Sequence, residues 1–336
     1  MQATAKQVIR LLRAYIEARI VPMIVGSPGV GKSDLVRQVA ATYGLKLIDV
    51  RLAQCDPTDL CGFPRINNGR AGYAPMDTFP IEGDKVPEGY NGWLIFLDEL
   101  TSAPMAVQAA AYRLILDRQV GQHPMHKNVV MVAAGNRTED NAIVMDISTA
   151  LQSRMAWIDM VVDKEDWLDW AMEHKMHHFI TDYIKFKPSA LYTFKPDHTD
   201  HTYACPRSWE FTNRLMPLLN DKQDFLHLLS GVISEGVARE FIGFTRVYKE
   251  LPKIEAITSN PNTVHIPQEP SVLFALSGSL ANHATKDNIG KLMKYIQRMP
   301  EEFQVVTLKE TVRRDPSMLA HAATRDWLAK AGATLF

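Results

Sequence analysis

The amino-acid sequence predicts an α/β fold in which a doubly wound parallel sheet is followed by a helical region. Five short apolar segments predict the strands: 20–25, LKLIDV from Leu45, WLIFL from Trp93, NVVMVAA from Asn128 and MAWIDM from Met155. Most are apolar at consecutive positions, as strands covered on both faces are. Helical patterns lie between several of them, notably over 32–43 and 105–116. This alternation of strand and helix predicts a parallel sheet with helices on both faces.

The strand signals fade after about residue 163, and amphipathic helical patterns replace them. Continuous helical patterns extend over 167–185, 208–219, 272–298 and 307–330. Four prolines interrupt a polar stretch between residues 252 and 270, which we interpret as a linker. We therefore predict three parts: an α/β core over 1–162, a small helical domain over 163–250, and a linker with a helical extension over 251–336.

The charge balance and the cysteine content restrict the classes of function. The chain has 37 Lys and Arg against 38 Asp and Glu, and the predicted core has 16 of each sign. A neutral chain has no global field that attracts nucleic acid or an acidic membrane. Three cysteines are too few for a disulfide framework, and no apolar run is long enough to span a bilayer. We expect a cytoplasmic protein that does not enter a membrane.

The segment GSPGVGKS, residues 26–33, is a complete G-x-x-x-x-G-K-S motif between a predicted strand and a predicted helix. Its glycines allow backbone N–H groups to surround phosphates, and the following helix adds its positive end. Lys32 is expected to reach the β- and γ-phosphates of a nucleotide, and the Ser33 hydroxyl to coordinate Mg²⁺. The residues predicted to bind the nucleotide are Gly26, Ser27, Pro28, Gly29, Val30, Gly31, Lys32, Ser33 and Asp98.

The segment WLIFLDEL, residues 93–100, is an apolar strand that ends in two adjacent carboxylates. We expect Asp98 to help Ser33 hold the metal ion, and Glu99 to polarise a water molecule that attacks the γ-phosphate. An Asp-Glu pair at a strand end is common by itself and is often a solvated turn. Together with the phosphate-binding loop, the pair favours a catalytic role.

With these two motifs, the chain resembles an AAA+ ATPase, and within that group the MoxR family. The resemblance extends over roughly residues 20–215 and includes DPTDLCG (56–62) and LTSAPMAVQAAAYRLILDRQVG (100–121). It implies a P-loop NTPase sheet as the AAA+ core, a small helical lid over 163–250, and an extension that the family pattern does not cover.

The resemblance also implies further site residues. Asn136 matches the sensor 1 position, where a side-chain amide orients the attacking water, although it could instead cap a turn. Arg154 matches the arginine finger, which faces the nucleotide of the neighbouring subunit. Arg207 matches sensor 2, which contacts the phosphates of its own subunit from the lid. Arg118 and Arg137 are weaker candidates for contacts across the interface, and Arg137 stands where family members often have proline.

The resemblance implies a Mg²⁺-dependent ATPase that uses ATP, assembles into a ring, expected to be a hexamer, and remodels, matures or loads a protein partner. The implied partner contains a von Willebrand A-type domain. Two alternatives stay open: a nucleic-acid motor or loader, such as a helicase or translocase subunit, and a scaffold that hydrolyses ATP slowly. The balanced charge disfavours the first, and the presence of Glu99 and Asn136 disfavours the second.

Two groups of residues have a structural and a functional interpretation. His174, His177 and His178 have helical i, i+3, i+4 spacing, but no Cys pair or His-Glu motif accompanies them, so a solvated helix face is favoured over a metal site. Aromatic residues in or near the long insert between residues 59 and 98 either face a substrate or pack on the sheet; these are Tyr73, Phe79, Tyr90 and Trp93.

Overall fold

The structure is a computed structural model that describes residues 2–140, 145, 147–218, 224–247 and 251–335. The chain divides into two units. The first comprises Met1–Trp167 and Phe194–Thr199, and the second comprises Leu168–Thr193 and Asp200–Phe336. The second unit contains the segment predicted over 251–336 and most of the one predicted over 163–250, whose residues 163–167 and 194–199 belong to the first unit. The predicted division at residue 250 stays a prediction.

Among the residues that the structure describes, the strands all lie in the first unit. They are β1 (Gln2–Ala3), β2 (Val21–Val25), β3 (Leu45–Arg51), β4 (Phe63–Asn67), β5 (Arg70–Ala74), β6 (Gly92–Asp98), β7 (Gln119–Val120), β8 (His123–Pro124), β9 (Val129–Gly135) and β10 (Met155–Met160). Six of them form one sheet in the order β1-β10-β2-β9-β6-β3. Every neighbouring pair in this sheet is parallel. The predicted parallel sheet is therefore confirmed, and β2, β9 and β6 lie in its interior.

Helices cover the sheet and bury its apolar side chains. The helices of the first unit are α1 (Ala5–Glu17), α2 (Lys32–Thr42), α3 (Pro57–Cys61), α4 (Met105–Leu116) and α5 (Thr149–Gln152), and α6 (Lys164–Glu173) contains the boundary between the units. In α1 the buried residues Val8, Leu12 and Ile16 recur every four positions, which places them on one face. In β6 six consecutive residues are buried, as a central parallel strand requires.

Two antiparallel hairpins interrupt the α/β alternation, and the sequence pattern did not indicate them. β4 pairs with β5, and β7 pairs with β8. The turn of the second hairpin packs on the α3 region, where a Cβ on Gly121 would lie 2.2 Å from the Cys61 carbonyl oxygen. The first hairpin exposes three large apolar side chains, Phe63, Ile66 and Tyr73.

The second unit is helical, as predicted, but its helices are shorter than the continuous patterns suggested. They are α7 (His178–Phe186), α8 (Pro206–Leu215), α9 (Phe225–Ile233), α10 (Glu235–Val247), α11 (Ile254–Ser259), α12 (Pro270–His283), α13 (Ile289–Ile296), α14 (Glu301–Arg314) and α15 (Ala322–Leu335). The predicted helix over 167–185 is wrong in its continuity. Lys175 has a φ of 52°, which ends α6, and the His177 ring then accepts a hydrogen bond from the Phe179 N–H as the N-cap of α7.

A buried ion network connects α7 to α14 within the second unit. The Lys185 ammonium lies 2.7 Å from a Glu310 carboxylate oxygen and 3.3 Å from an Asp182 carboxylate oxygen. Both acidic side chains are nearly inaccessible to solvent, at 6% and 2% exposure. Glu310 also accepts a hydrogen bond from Arg314 at 2.9 Å. Lys185 thus compensates two carboxylates that burial would otherwise destabilise.

We expect Lys185→Met to lower the free energy of unfolding by about 3 kcal/mol, because it removes a cation that is shared by two buried carboxylates. Urea denaturation followed by circular dichroism measures this value. The matched control is Lys187→Met, which removes the half-exposed pair between Lys187 and Glu240 and should change stability by less than about 1 kcal/mol. Equal, small effects of both substitutions would contradict a structural role of the network.

Among the described residues, no helix is both long and apolar enough to cross a membrane.

Candidate functional site

The loop formed by residues 26–31 joins β2 to α2 at the carboxyl end of the parallel strands. Gly29 and Gly31 have φ angles of 78° and 101°, which side chains rarely adopt. Gly26 is needed for close packing, since a Cβ there would lie 3.0 Å from the Met160 carbonyl oxygen. The sequence therefore forms the tight, backbone-lined loop that the motif predicts.

The ammonium group of Lys32 lies within this loop. The Lys32 residue is 9% exposed. Its Nζ donates hydrogen bonds to the backbone oxygens of Gly26 and Ser27, the latter at 3.2 Å. Nζ also donates to Oδ1 of Asn136 at 3.0 Å. Asn136 directly follows β9, the neighbour of β2, so the sheet brings together two residues that are 104 positions apart.

The second predicted pair also meets at this edge of the sheet. The Ser33 hydroxyl donates a hydrogen bond to Oδ2 of Asp98 at 3.0 Å. Glu99 follows with a left-handed backbone, at φ 59°, and its N–H donates to Oδ1 of Asp98 at 2.9 Å. A left-handed non-glycine residue is strained by about 1–3 kcal/mol, and such strain often occurs at functional sites.

Thr101 connects the turn after β6 to the end of β9, and sequence analysis missed it. Its Oγ1 accepts a hydrogen bond from the Asn136 N–H at 2.9 Å. A Cβ on the adjacent Gly135 would lie 2.5 Å from the same Oγ1, so the two segments are in close contact. A threonine two positions after Glu99 has no distinctive sequence signal, because its partner is distant in sequence.

The oxygen atoms of Ser33 and Asp98 fit a hard divalent cation, since Mg²⁺ prefers carboxylate and hydroxyl oxygens with retained water. Lys32 and the N–H groups of the loop supply positive charge suited to phosphate oxygens. Glu99 and Asn136 provide a carboxylate and an amide next to these groups. The described arrangement therefore contains groups that are chemically suited to phosphate, to a divalent cation and to accepting a proton.

Arg154 lies away from this group. It directly precedes β10, whose Met155 is paired with Val21, whereas Asp159 is paired with Val25, the residue before the loop. Four residues of strand correspond to about 13 Å along the sheet. The exposed Arg154 side chain donates to the Ala150 carbonyl oxygen at 3.0 Å. Its guanidinium also lies over the Tyr112 ring, 5.7 Å from the centroid.

The other candidate arginines have different surroundings. Arg207 is exposed in the first turn of α8, in the second unit, and its role as sensor 2 stays a prediction. Arg137 donates to Oδ1 of Asp159 at 3.0 Å through Nε, and to the Met160 carbonyl oxygen at 3.0 Å through Nη2. The Arg137 side chain therefore ties the turn after β9 to β10.

Arg118 lies at the opposite, amino-terminal edge of the sheet. It donates a hydrogen bond to the carbonyl oxygen of Val129, the first residue of β9. Burial, together with the positive charge of Arg19, lowers the pKa of Arg118. Arg118 is thus part of the packing at this edge, and a contact with a neighbouring nucleotide stays a prediction.

The histidines do not share one helix face, because the break between α6 and α7 separates them. His174 stacks on Trp170 with ring centroids 4.4 Å apart, and His177 stacks on His178 at 4.6 Å. Burial and the neighbouring His177 lower the pKa of His178 to about 4, so this ring is neutral at pH 7. Among the described residues, no group of three or more His, Cys, Asp or Glu could hold a metal ion.

The aromatic residues of the insert divide between packing and exposure. Phe79 and Trp93 are buried in the core of the first unit. Tyr73 and Tyr90 are exposed by 44% and 47%. Phe79 and Trp93 therefore pack on the sheet, whereas Tyr73 and Tyr90 are accessible to a partner.

Residues 22–155 match the family model described as AAA domain (dynein-related subfamily). No curated protein matches the chain. Among solved structures, the chain is 15% identical to the RuvB Holliday junction branch migration motor of Thermotoga maritima, with a TM-score of 0.38 and coverage of 82% of this chain and 80% of that chain. NtrX from Brucella abortus in complex with ADP is 16% identical, with a TM-score of 0.37 and coverage of 98% and 68%. A putative ATPase from Cytophaga hutchinsonii is 15% identical, with a TM-score of 0.35 and coverage of 98% and 89%.

The loop between β2 and α2, strands β3 to β9, and the carboxylates of Asp98 and Glu99 lie within the matched region. The chain is therefore similar to the AAA domain of the dynein-related subfamily over residues 22–155, and its parallel sheet has the P-loop AAA+ fold.

Proposed function

We propose that the protein is a Mg²⁺-dependent ATPase of the MoxR type that assembles into a ring and remodels a protein partner. One observation carries the ATPase proposal. Lys32 contacts Asn136, and Ser33 contacts Asp98, so four residues from three separate segments meet next to the loop of residues 26–31. Each residue has a chemical type suited to binding and hydrolysing a nucleoside triphosphate.

In this proposal, the loop and Lys32 bind the β- and γ-phosphates, and Ser33 and Asp98 hold the metal ion. The ion supplies positive charge that offsets the negative charge developing on the transferred phosphoryl group. Glu99 accepts a proton from the attacking water, and Asn136 orients that water through its amide. Arg207 contacts the phosphates of its own subunit as sensor 2.

The ring proposal follows from the position of Arg154. Its side chain lies at the end of β10 opposite to the loop that binds the phosphates. The positive charge that completes the site must then come from Arg154 of a neighbouring subunit, and a head-to-tail arrangement closes into a ring when the rotation permits. We propose a hexamer. Arg154 is exposed, whereas Arg118 and Arg137 are partly buried, which favours Arg154 among the three arginines for a contact across an interface.

The partner proposal is supported by the hairpin of β4 and β5. Phe63 and Ile66 are exposed by 56% and 78%, and Tyr73 lies on the same hairpin. Exposed apolar side chains of this kind suit contact with a protein. The proposed partner is an adaptor with a von Willebrand A-type domain. We also propose a cytoplasmic location, because all three cysteines are free thiols, as expected in a reducing compartment.

Phosphate release from Mg-ATP tests the proposed activity. We expect turnover by the wild type, loss of turnover in EDTA, and a decrease of at least about 100-fold in Lys32→Ala, because a preorganised charge next to the phosphates is removed. A wild-type protein without turnover would contradict the proposal. Single-stranded and double-stranded DNA are added in parallel reactions, since stimulation that falls steeply with salt would favour a nucleic-acid motor instead.

A further inference from the structure

A second contact between the sensor 1 turn and the phosphate-binding loop involves a residue without an assigned role. We define the sensor 1 segment as residues 136–140. Its last residue, Asp140, is 8% exposed, and its Oδ1 accepts a hydrogen bond from the Ser27 hydroxyl at 3.0 Å. Ser27 itself is 7% exposed. The two residues are 113 positions apart, so the contact depends on the folded sheet.

The buried Asp140 carboxylate is only partly satisfied by hydrogen bonds. Within the described part of the chain, its Oδ2 is buried and has no hydrogen-bond partner. The side chain of Asp140 therefore makes one hydrogen bond there, to Ser27, although buried carboxylates are costly unless they are well compensated. Unpaired buried polar atoms in native proteins often mark a functional constraint. A structural role alone would be fulfilled at lower energetic cost by an apolar side chain.

Ser27, which contacts Asp140, also binds Lys32. The backbone oxygen of Ser27 accepts a hydrogen bond from Lys32 Nζ at 3.2 Å. Ser27 is thus held on one side by Lys32 and on the other by Asp140. Because the Ser27 hydroxyl donates to Oδ1 of Asp140, this contact restricts the orientation of the Ser27 side chain.

The rest of the sensor 1 segment is also fixed. Asn136 contacts Lys32, and Arg137 binds Asp159 and the Met160 carbonyl oxygen on β10. Asp140 is therefore presented to Ser27 from a segment that is anchored at two other points. Because the segment is anchored in this way, the positions of β9 and β10 determine where the Asp140 carboxylate lies relative to the loop.

We infer that Asp140 is a positioning residue that acts through Ser27: it holds the phosphate-binding loop in the conformation that receives a nucleotide. This inference rests on the proposed function. It assigns Asp140 no contact with the nucleotide. Loss of the Asp140 acceptor should therefore weaken nucleotide affinity and raise KM for ATP, with a much smaller effect on kcat, the pattern of a change in binding rather than in chemistry.

A double-mutant cycle tests this role, with a fluorescent ADP analogue as the probe. We expect Asp140→Ala and Ser27→Ala each to weaken binding about tenfold, the usual effect of losing a hydrogen bond to a charged acceptor. The double variant should be no weaker than the weaker single variant, because both substitutions remove the same contact. Asp140→Asn retains an acceptor oxygen and should recover most of the affinity that Asp140→Ala loses.

The control substitution is Glu139→Ala, which removes the exposed neighbouring carboxylate and should leave affinity unchanged. Thermal unfolding identifies any variant that fails to fold. If Asp140→Ala is such a variant, Asp140→Val, which also lacks an acceptor, replaces it in the cycle. Additive losses in the double variant, or an Asp140→Asn protein as weak as Asp140→Ala, would overturn the role of Asp140. A wild-type protein that binds neither ADP nor ATP would instead overturn the proposed function.

Discussion

Replacement of Glu99 by glutamine is expected to stop ATP turnover while ATP binding persists. Glutamine has nearly the same shape as glutamate, and the hydrogen bonds that Lys32 donates to Gly26, Ser27 and Asn136 do not involve the Glu99 side chain. The amide, however, cannot accept the proton of the attacking water. General-base catalysis typically contributes about 100-fold to 10,000-fold to a rate, so kcat should fall by that factor. Phosphate release measures turnover, and a fluorescent ATP analogue measures binding.

The matched control is Glu88→Gln, which makes the same chemical change at an exposed position of the same unit and should retain wild-type turnover. Turnover by Glu99→Gln at the wild-type rate would remove Glu99 from the mechanism. The same variant is a means of capturing the partner, because a subunit that keeps its ATP should also keep what it binds. Affinity purification in ATP should retain an adaptor protein, whereas retained nucleic acid would favour the motor.

The sequence predicted those parts of the site that depend on short, contiguous motifs. The loop of residues 26–31 needs its glycines for backbone angles and close packing, and Asp98 and Glu99 follow a buried strand. Each of these requirements produces a recognisable sequence pattern within a segment of eight residues. The parallel sheet was predictable for a similar reason, since strands buried on both faces must be apolar at consecutive positions.

The contacts that complete the site were not predictable in this way. Asp140 reaches Ser27 across 113 residues, and Thr101 reaches Asn136 across 35 residues. A polar residue in a polar stretch has no local signal, because only the sheet order determines what it meets. The continuous helix over 167–185 failed for a related reason. Its apolar spacing passes through residues 174–177, but a left-handed Lys175 and the His177 cap divide it into two helices.

The hairpin of β4 and β5 also escaped prediction. Its strands are short and only partly buried, and Phe63, Ile66 and Tyr73 leave large apolar side chains in solvent. A pattern that relies on burial cannot identify a strand whose apolar residues are exposed. Because these three side chains are exposed, they contribute little to the buried core, and we expect them to take part in binding instead.

Mixing two inactive variants is expected to restore ATPase activity if neighbouring subunits share each site. Arg154→Ala keeps an intact phosphate-binding loop, and Lys32→Ala keeps an intact Arg154. Each variant alone should be inactive, since loss of an arginine finger typically lowers turnover by about 1,000-fold to 100,000-fold. In a random equimolar ring, about one interface in four combines an intact loop with an intact arginine, given head-to-tail contacts. Phosphate release by the mixture should therefore approach a quarter of the wild-type rate.

Two controls separate a shared site from a structural role of Arg154. Arg113→Ala removes an exposed arginine on α4 and should retain activity. A protein with both Lys32→Ala and Arg154→Ala, mixed with Arg154→Ala, offers no intact arginine and should stay inactive. Wild-type turnover by Arg154→Ala alone would show that the completing charge comes from another residue. Inactive Arg154→Ala without recovery in the mixture would instead assign Arg154 to the packing of its own subunit, where it contacts Tyr112 and the Ala150 carbonyl oxygen.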